Sequence, residues 1–322
     1  MSASDGSEGL VKRIVEMRDE LFDTLQKTYD RLTSPPTLPR LIYHFTDADG
    51  LIGIIQHRSL RGTLATALND KSEMKIALEV AKELVAARLK IKETLFDRFF
   101  HTFVEKPAMF DATGKIPLRP GVVSFCKSAD LSVHWTHYGK SGTGFALGFS
   151  PSRLAVGGLR VVKVIYDVQQ QREVIKNLLA DASRITSNTV QSMTRRGEID
   201  HVLVMAAHMT AAYIKGSAAL FKNKAFQYED EWRLTFLFEQ EGGSTPDGYR
   251  FTGGYRSVNG RVCPFADLQY PKDRFPLKEI VIGYSSAMDK RDEEIQLLLE
   301  DGLGLDAAKK VRVKRSTVPV RP

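Results

Sequence analysis

Apolar residues recur along this chain at two periods, and those periods lay out its elements. Leu10, Ile14, Met17, Leu21, Leu25 and Tyr29 fall three or four apart, the spacing of one helical face, so residues 10–32 are predicted to form an amphipathic helix. Pro35, Pro36 and Pro39 stop it. Leu41 to Phe45 reads as a short buried strand, Thr46-Asp47 as a helix cap, and Leu51, Ile54 and Ile55 as the inner side of a short helix. Residues 71–100 are predicted as one long helix. Strands follow at 121–126, 142–149 and 161–166, helices at 168–183 and 199–221, and a strand at 231–238. A Gly-rich hairpin over 242–260, a strand at 280–283, a helix near 289–301 and a strand at 311–315 complete the pattern. Strands separated by helices and then clustered strands indicate an α+β fold. The expected organisation is a helical extension with a proline-rich link (1–40), a main domain (41–318) and a short tail (319–322).

Composition narrows the class. With 43% hydrophobic and 26% charged residues, 322 residues suffice to bury a substantial core. Part of the net charge of +7 collects near the C-terminus in Lys309, Lys310, Arg312, Lys314, Arg315 and Arg321, which can meet phosphates or simply be solvated. Cys126 and Cys263 are the only cysteines, and they lack the close spacing of a zinc site or a disulfide framework. The acidic start, Met1 to Gly9, lacks the basic and apolar regions of a secretory signal, and no apolar stretch nears the roughly 20 residues that span a bilayer. A cytoplasmic location without membrane contact is expected, with self-association through the first helix one role open to it. Phosphate-loop, dinucleotide-fingerprint, zincin and nucleophile-elbow motifs are absent.

Four short segments carry candidate chemistry. His44 and Thr46 lie two apart on a strand, so both point to one side and can hydrogen-bond one ligand, although strand histidines are commonly satisfied core residues. In Leu68 to Glu73, helix capping by Asn69 or Asp70 accounts for the polar residues. Ser124 ends a strand, and Trp135 and Tyr138, three apart on a helical face, can form an aromatic wall or pack in the core. Glu229, Asp230 and Glu231 open an apolar strand. Their mutual repulsion suits a site that handles a cationic or hydroxylated ligand, or an exposed acidic turn with Glu231 paired to Arg233 or Lys224. No metal site is expected.

Taken together, Tyr43 to Thr46, Leu68 to Glu73, Ser124 to Cys126, Trp135 to Phe149, Glu229 to Arg233 and Arg315-Ser316 resemble the blocks of an uncharacterised bacterial domain family. That resemblance covers about residues 41–318. More remotely, the order His-x-Thr strand, Ser-ended strand and Glu-x-Glu strand resembles the ADP-ribosyltransferase superfamily. The resemblance implies a mixed-sheet core with helical insertions and NAD as substrate. His44 would hold the adenosine ribose with Thr46 assisting, Ser124 would support the site, Tyr138 or Trp135 would stack on nicotinamide, and Glu231 would be catalytic. A carboxylate bonded to a ribose hydroxyl stabilises the charge that develops as the glycosidic bond breaks, and Glu229 would help deprotonate the acceptor. A bacterial toxin or antiviral defence effector that modifies a nucleic acid or a protein is the function implied. A non-catalytic nucleotide or peptide sensor and a metal-dependent nuclease using the three acids stay open as alternatives.

Overall fold

Period-two alternation builds one open sheet. In the computed structural model, which describes residues 3–64, 73–91, 93–106, 119–155, 159–238, 243–244, 248–258, 260–289 and 293–319, helices and a mixed eleven-stranded sheet give a mixed α/β fold. Asn69 and Asp70, expected to cap the helix that follows them, lie outside the described residues. Packing divides the chain into two units, one comprising Met1–Ser34, Asp70–Leu118 and Ile165–Lys224 and the other Pro35–Asn69, Arg119–Val164 and Ala225–Pro322.

The first unit is helical. Its described elements are α1 (Ala3–Thr33), α3 (Glu73–Ile91), α4 (Leu95–Glu105), α7 (Val168–Val190) and α8 (Arg196–Ala218). Met17, Leu21 and Leu25 are buried, as the apolar stripe of α1 requires. Thr28 donates to Asp181 of α7 at 2.7 Å, and Phe22 and Tyr29 meet Tyr213 of α8 edge to face. The single helix predicted over 71–100 is two. Thr94 caps α4 by accepting the Asp97 amide at 3.0 Å, and Asp97, fully buried, is clasped by Arg88 at 2.9 and 3.2 Å. Local capping chemistry therefore outweighs continuous helical periodicity there.

The second unit holds the sheet. Its strands are β1 (Ile42–Thr46), β2 (Ser59–Leu64), β3 (Arg119–Cys126), β4 (Phe145–Phe149), β5 (Arg160–Lys163), β6 (Glu231–Phe238), β7 (Gly243–Ser244), β8 (Arg250–Val258), β9 (Arg261–Gln269), β10 (Leu277–Ile282) and β11 (Arg312–Arg315). Its longer helices are α2 (Ala48–His57) and α9 (Glu293–Leu303). Shorter ones are α5 (Ser132–His137), α6 (Pro151–Leu154) and α10 (Leu305–Ala308). The path runs β11-β10-β4-β1-β3-β2-β9-β8-β7, with β6 on β3 and β5 on β6. Only β10 and β11 pair in parallel; the other named pairs are antiparallel.

The main core lies on one face, where Val123, Phe125, Leu147, Trp232 and Leu234 meet Leu51 and Ile55 of α2 and Leu299 and Leu303 of α9. A smaller core on the other face gathers Trp135, Ala129, Ala146 and Val281 against Tyr43, Phe45 and Tyr284. The hairpin expected over 242–260 sits further along, as β8 and β9. β2 is an additional strand, with Leu60 and Leu64 buried at alternate positions. Among the described residues no helix is long and apolar enough to cross a membrane.

Candidate functional site

The sheet splits beside β3. β6 pairs with β3 at every position from Arg119 to Cys126, so the partners on the opposite edge of β3 are β2, at Gly121 and Val122, and β1, at Cys126. Between them Val123 to Phe125 meet neither strand. The imidazole of His44 fills part of this gap, its Nδ1 donating to the Ser124 carbonyl at 2.9 Å while its ring meets Phe125 edge to face. The side chain thus satisfies a backbone acceptor that a strand would otherwise take.

A cleft of about 860 Å³ opens at the split, within the roughly 300–1,000 Å³ typical of small-molecule and cofactor sites. His44, Thr46 and Ser124 line it together. Because a carbonyl only accepts, Nδ1 of His44 carries the proton and Nε2 is left as an acceptor. Burial lowers the His44 pKa below the usual 6.5, and the positive charge of Arg256 lowers it further, against the opposing effect of the Ser124 bond. The ring is therefore neutral at pH 7. Thr46 is placed by close packing: a Cβ on Gly50 would lie 1.9 Å from its Oγ1, so the first turn of α2 needs glycine there. Asp47, which also lines the cleft, caps α2 by accepting the Gly50 amide at 2.9 Å.

The other wall comes from β2, β8 and β9. Arg61 is held in two hydrogen bonds of 2.8 Å to Asp267 and lies 4.0 Å above the Phe265 ring centroid. Arg256 donates to the Thr63 hydroxyl at 2.9 Å, and none of the ion pairs among the described residues engages it. None of these residues was foreseen as part of the site. The alternation of Ser59, Arg61 and Thr63 with Leu60, Gly62 and Leu64 was the available signal for β2; Pro264 and the polar positions of β9 obscured its partner.

The acidic turn is resolved by three separate partners. Glu229 accepts the Tyr138 hydroxyl at 3.0 Å, Asp230 meets Lys163 at 2.8 Å, and Glu231 takes Arg233 through two bonds of 2.8 and 3.0 Å. Asp230 has φ of +41°, a left-handed kink that separates its side chain from its neighbours. Glu229, Glu231 and Arg233 are buried, and none of them is among the residues lining the cleft. Glu231 faces Cys126 across the ladder and Arg233 faces Ser124, so the pair occupies the sheet face to which the Ser124 side chain belongs.

The two aromatic candidates part ways. Trp135 has no exposed surface and packs edge to face against Phe45, ring centroids 4.8 Å apart, as in the core-packing alternative of the sequence reading. Tyr138 is 47% exposed, with its hydroxyl anchored on Glu229. Beside it His134 is buried, and burial lowers its pKa against the opposing pull of the Glu229 backbone and of the nearby carboxylates of Glu229, Asp230 and Glu231. The Cys126 thiol is pushed up to about 12, chiefly by burial, so it is protonated and inert at neutral pH.

No curated protein and no solved structure matches the chain. Residues 134–234 match the model of a family described as a protein of unknown function, DUF2971, a stretch that contains Trp135, Tyr138, Glu229 and Glu231 but not His44, Thr46 or Ser124; this part of the chain is therefore similar to an uncharacterised domain family.

Proposed function

We propose that the cleft at the split beside β3 binds a nucleotide, and that the protein is an NAD-consuming enzyme of ADP-ribosyltransferase type. The observation that carries this reading is the neutral His44, fixed by the Ser124 carbonyl with Nε2 left to accept a hydrogen bond, beside Thr46 and across from Arg256. A ribose offers hydroxyl donors to such an imidazole, and a diphosphate offers the anion that an arginine without a carboxylate partner prefers. In the reaction, the bond between ribose C1 and the nicotinamide nitrogen breaks with its electron pair passing to the ring nitrogen. The positive charge left on the ribose is met by a carboxylate, and the acceptor attacks C1 as it gives up its proton. Tyr138, Glu229 and Glu231 stand outside the cleft lining, so they take their parts, Tyr138 stacking nicotinamide, Glu231 released from Arg233 and Glu229 from Tyr138, only when the dinucleotide reaches past the cleft and rearranges the acidic turn.

The clasp of Glu231 by Arg233 favours a second reading, a nucleotide sensor that binds without turnover. Calorimetry with NAD, paired with an assay of nicotinamide release from labelled NAD, separates the two. Binding with release that fails in Glu231→Gln supports the enzyme, and binding without release supports the sensor. Absence of binding in the native chain rejects both. Nuclease chemistry is disfavoured because the three acids are held by three different partners.

A further inference from the structure

Two arginines line the same wall of the cleft in different electrostatic states. Arg61 stands directly across from Asp267 in the β2–β9 ladder, and Phe265, two positions earlier on β9, projects from the same face. Nε and Nη2 of Arg61 donate to the two Asp267 oxygens at 2.8 Å, so those donors are taken and the charge is answered. Arg256 donates to Thr63 and has no carboxylate among its ion pairs in the described residues.

What Arg61 still offers is its plane. Its guanidinium carbon lies 4.0 Å from the Phe265 ring centroid, and the side chain is 47% exposed. Phe265 is in turn seated on Gly254 of β8, where a Cβ would meet the ring at 2.7 Å. Arg61 lines the cleft and Phe265 does not, so one guanidinium face is backed by the ring and the other is turned to the cleft.

We infer that this outer face is the platform on which the adenine of the dinucleotide stacks, an assignment that rests on the nucleotide reading of the cleft and gives it a base site. A guanidinium held flat by a carboxylate and backed by an aromatic ring is a ready stacking surface for a nucleobase. Charge divides the labour. Arg256 is left for phosphate, whereas Arg61, already neutralised by Asp267, gains more from a flat neutral ring than from a second anion. The nicotinamide ring of NAD carries a positive charge that a guanidinium repels, so adenine is the base selected.

The test is displacement of labelled ADP-ribose from the full chain by AMP, nicotinamide mononucleotide and ribose 5-phosphate. AMP should bind the native chain roughly tenfold more tightly than ribose 5-phosphate, the size of one base stack. Arg61→Lys keeps a charge beside Asp267 but has no plane. It should weaken AMP by roughly that factor and leave the other two ligands unchanged, with thermal melting verifying the fold. Equal affinity of the native chain for AMP and ribose 5-phosphate needs no variant and would overturn the platform alone, provided NAD binds. An equal loss of all three ligands in Arg61→Lys, a larger loss for nicotinamide mononucleotide, or no loss at all would do the same. A native chain that binds neither NAD nor ADP-ribose would remove the nucleotide reading, and this inference with it.

Discussion

Glu231 and Arg233 stand two positions apart on β6, point to one face and clasp through two hydrogen bonds with almost no exposure to water. A buried carboxylate deprived of its cation costs far more than a pair replaced whole. Arg233→Met is expected to lower stability by about 3–5 kcal/mol, whereas Glu231→Gln combined with Arg233→Met should recover a large part of that loss. Urea unfolding of the native chain, the two single variants and the double variant measures the coupling; strictly additive losses would show that the clasp does not act as a unit.

His44 sets a pH dependence of known sign. In the unfolded chain its imidazole takes a proton near 6.5, and in the folded protein only at lower pH. Its contribution to stability is therefore complete above about 6.5 and lost as the pH falls through the lower folded value. Nucleotide binding should follow the same course, because protonation turns the Nε2 acceptor into a donor and adds charge beside Arg256. Affinity titrations are expected to be level from pH 8 to roughly 6.5, then to fall, while His44→Gln flattens the acid limb. A fall centred well above that value would contradict a ring that is neutral in the cleft.

Gly50 separates stability from binding. A methyl there adds helix propensity worth about 1 kcal/mol, while the contact at 1.9 Å with the Thr46 hydroxyl costs about 1–3 kcal/mol of repacking. Net stability should consequently change by less than about 2 kcal/mol in Gly50→Ala. The displaced Thr46 hydroxyl should nonetheless cost the cleft several-fold in nucleotide affinity, read by calorimetry beside thermal melting. Unchanged affinity would remove Thr46 from the site.

Single-element chemistry was readable where one residue type has one strong local use. The period of α1, the prolines after it, the strand ending in His44 and Thr46 and the Asp47 cap all follow from short-range rules. Thr94 and Asp97 carried a capping signal inside a stretch whose apolar period pointed to one helix, and the cap prevailed. The three acids of Glu229 to Glu231 read as repulsion because their neighbours in sequence are each other. Folding gives them Tyr138, Lys163 and Arg233, of which only Arg233 is near in sequence.

What the amino-acid order determined by itself is most of the helices and strands with their buried faces, though not β2, the break before Thr94 or the place of the β8–β9 hairpin, since periodicity and capping depend on a few adjacent residues. The tertiary structure alone decided that β1 and β2 share one edge of β3 and leave a gap there, that His44 bonds Ser124 eighty residues away, and that Arg61 and Arg256 join the cleft from strands distant in the chain. It also decided that Trp135 is sealed while Tyr138 faces water, although both lie on one short stretch. Strand pairing and burial depend on which surfaces meet, and that is a property of the whole assembly of elements rather than of any window of sequence.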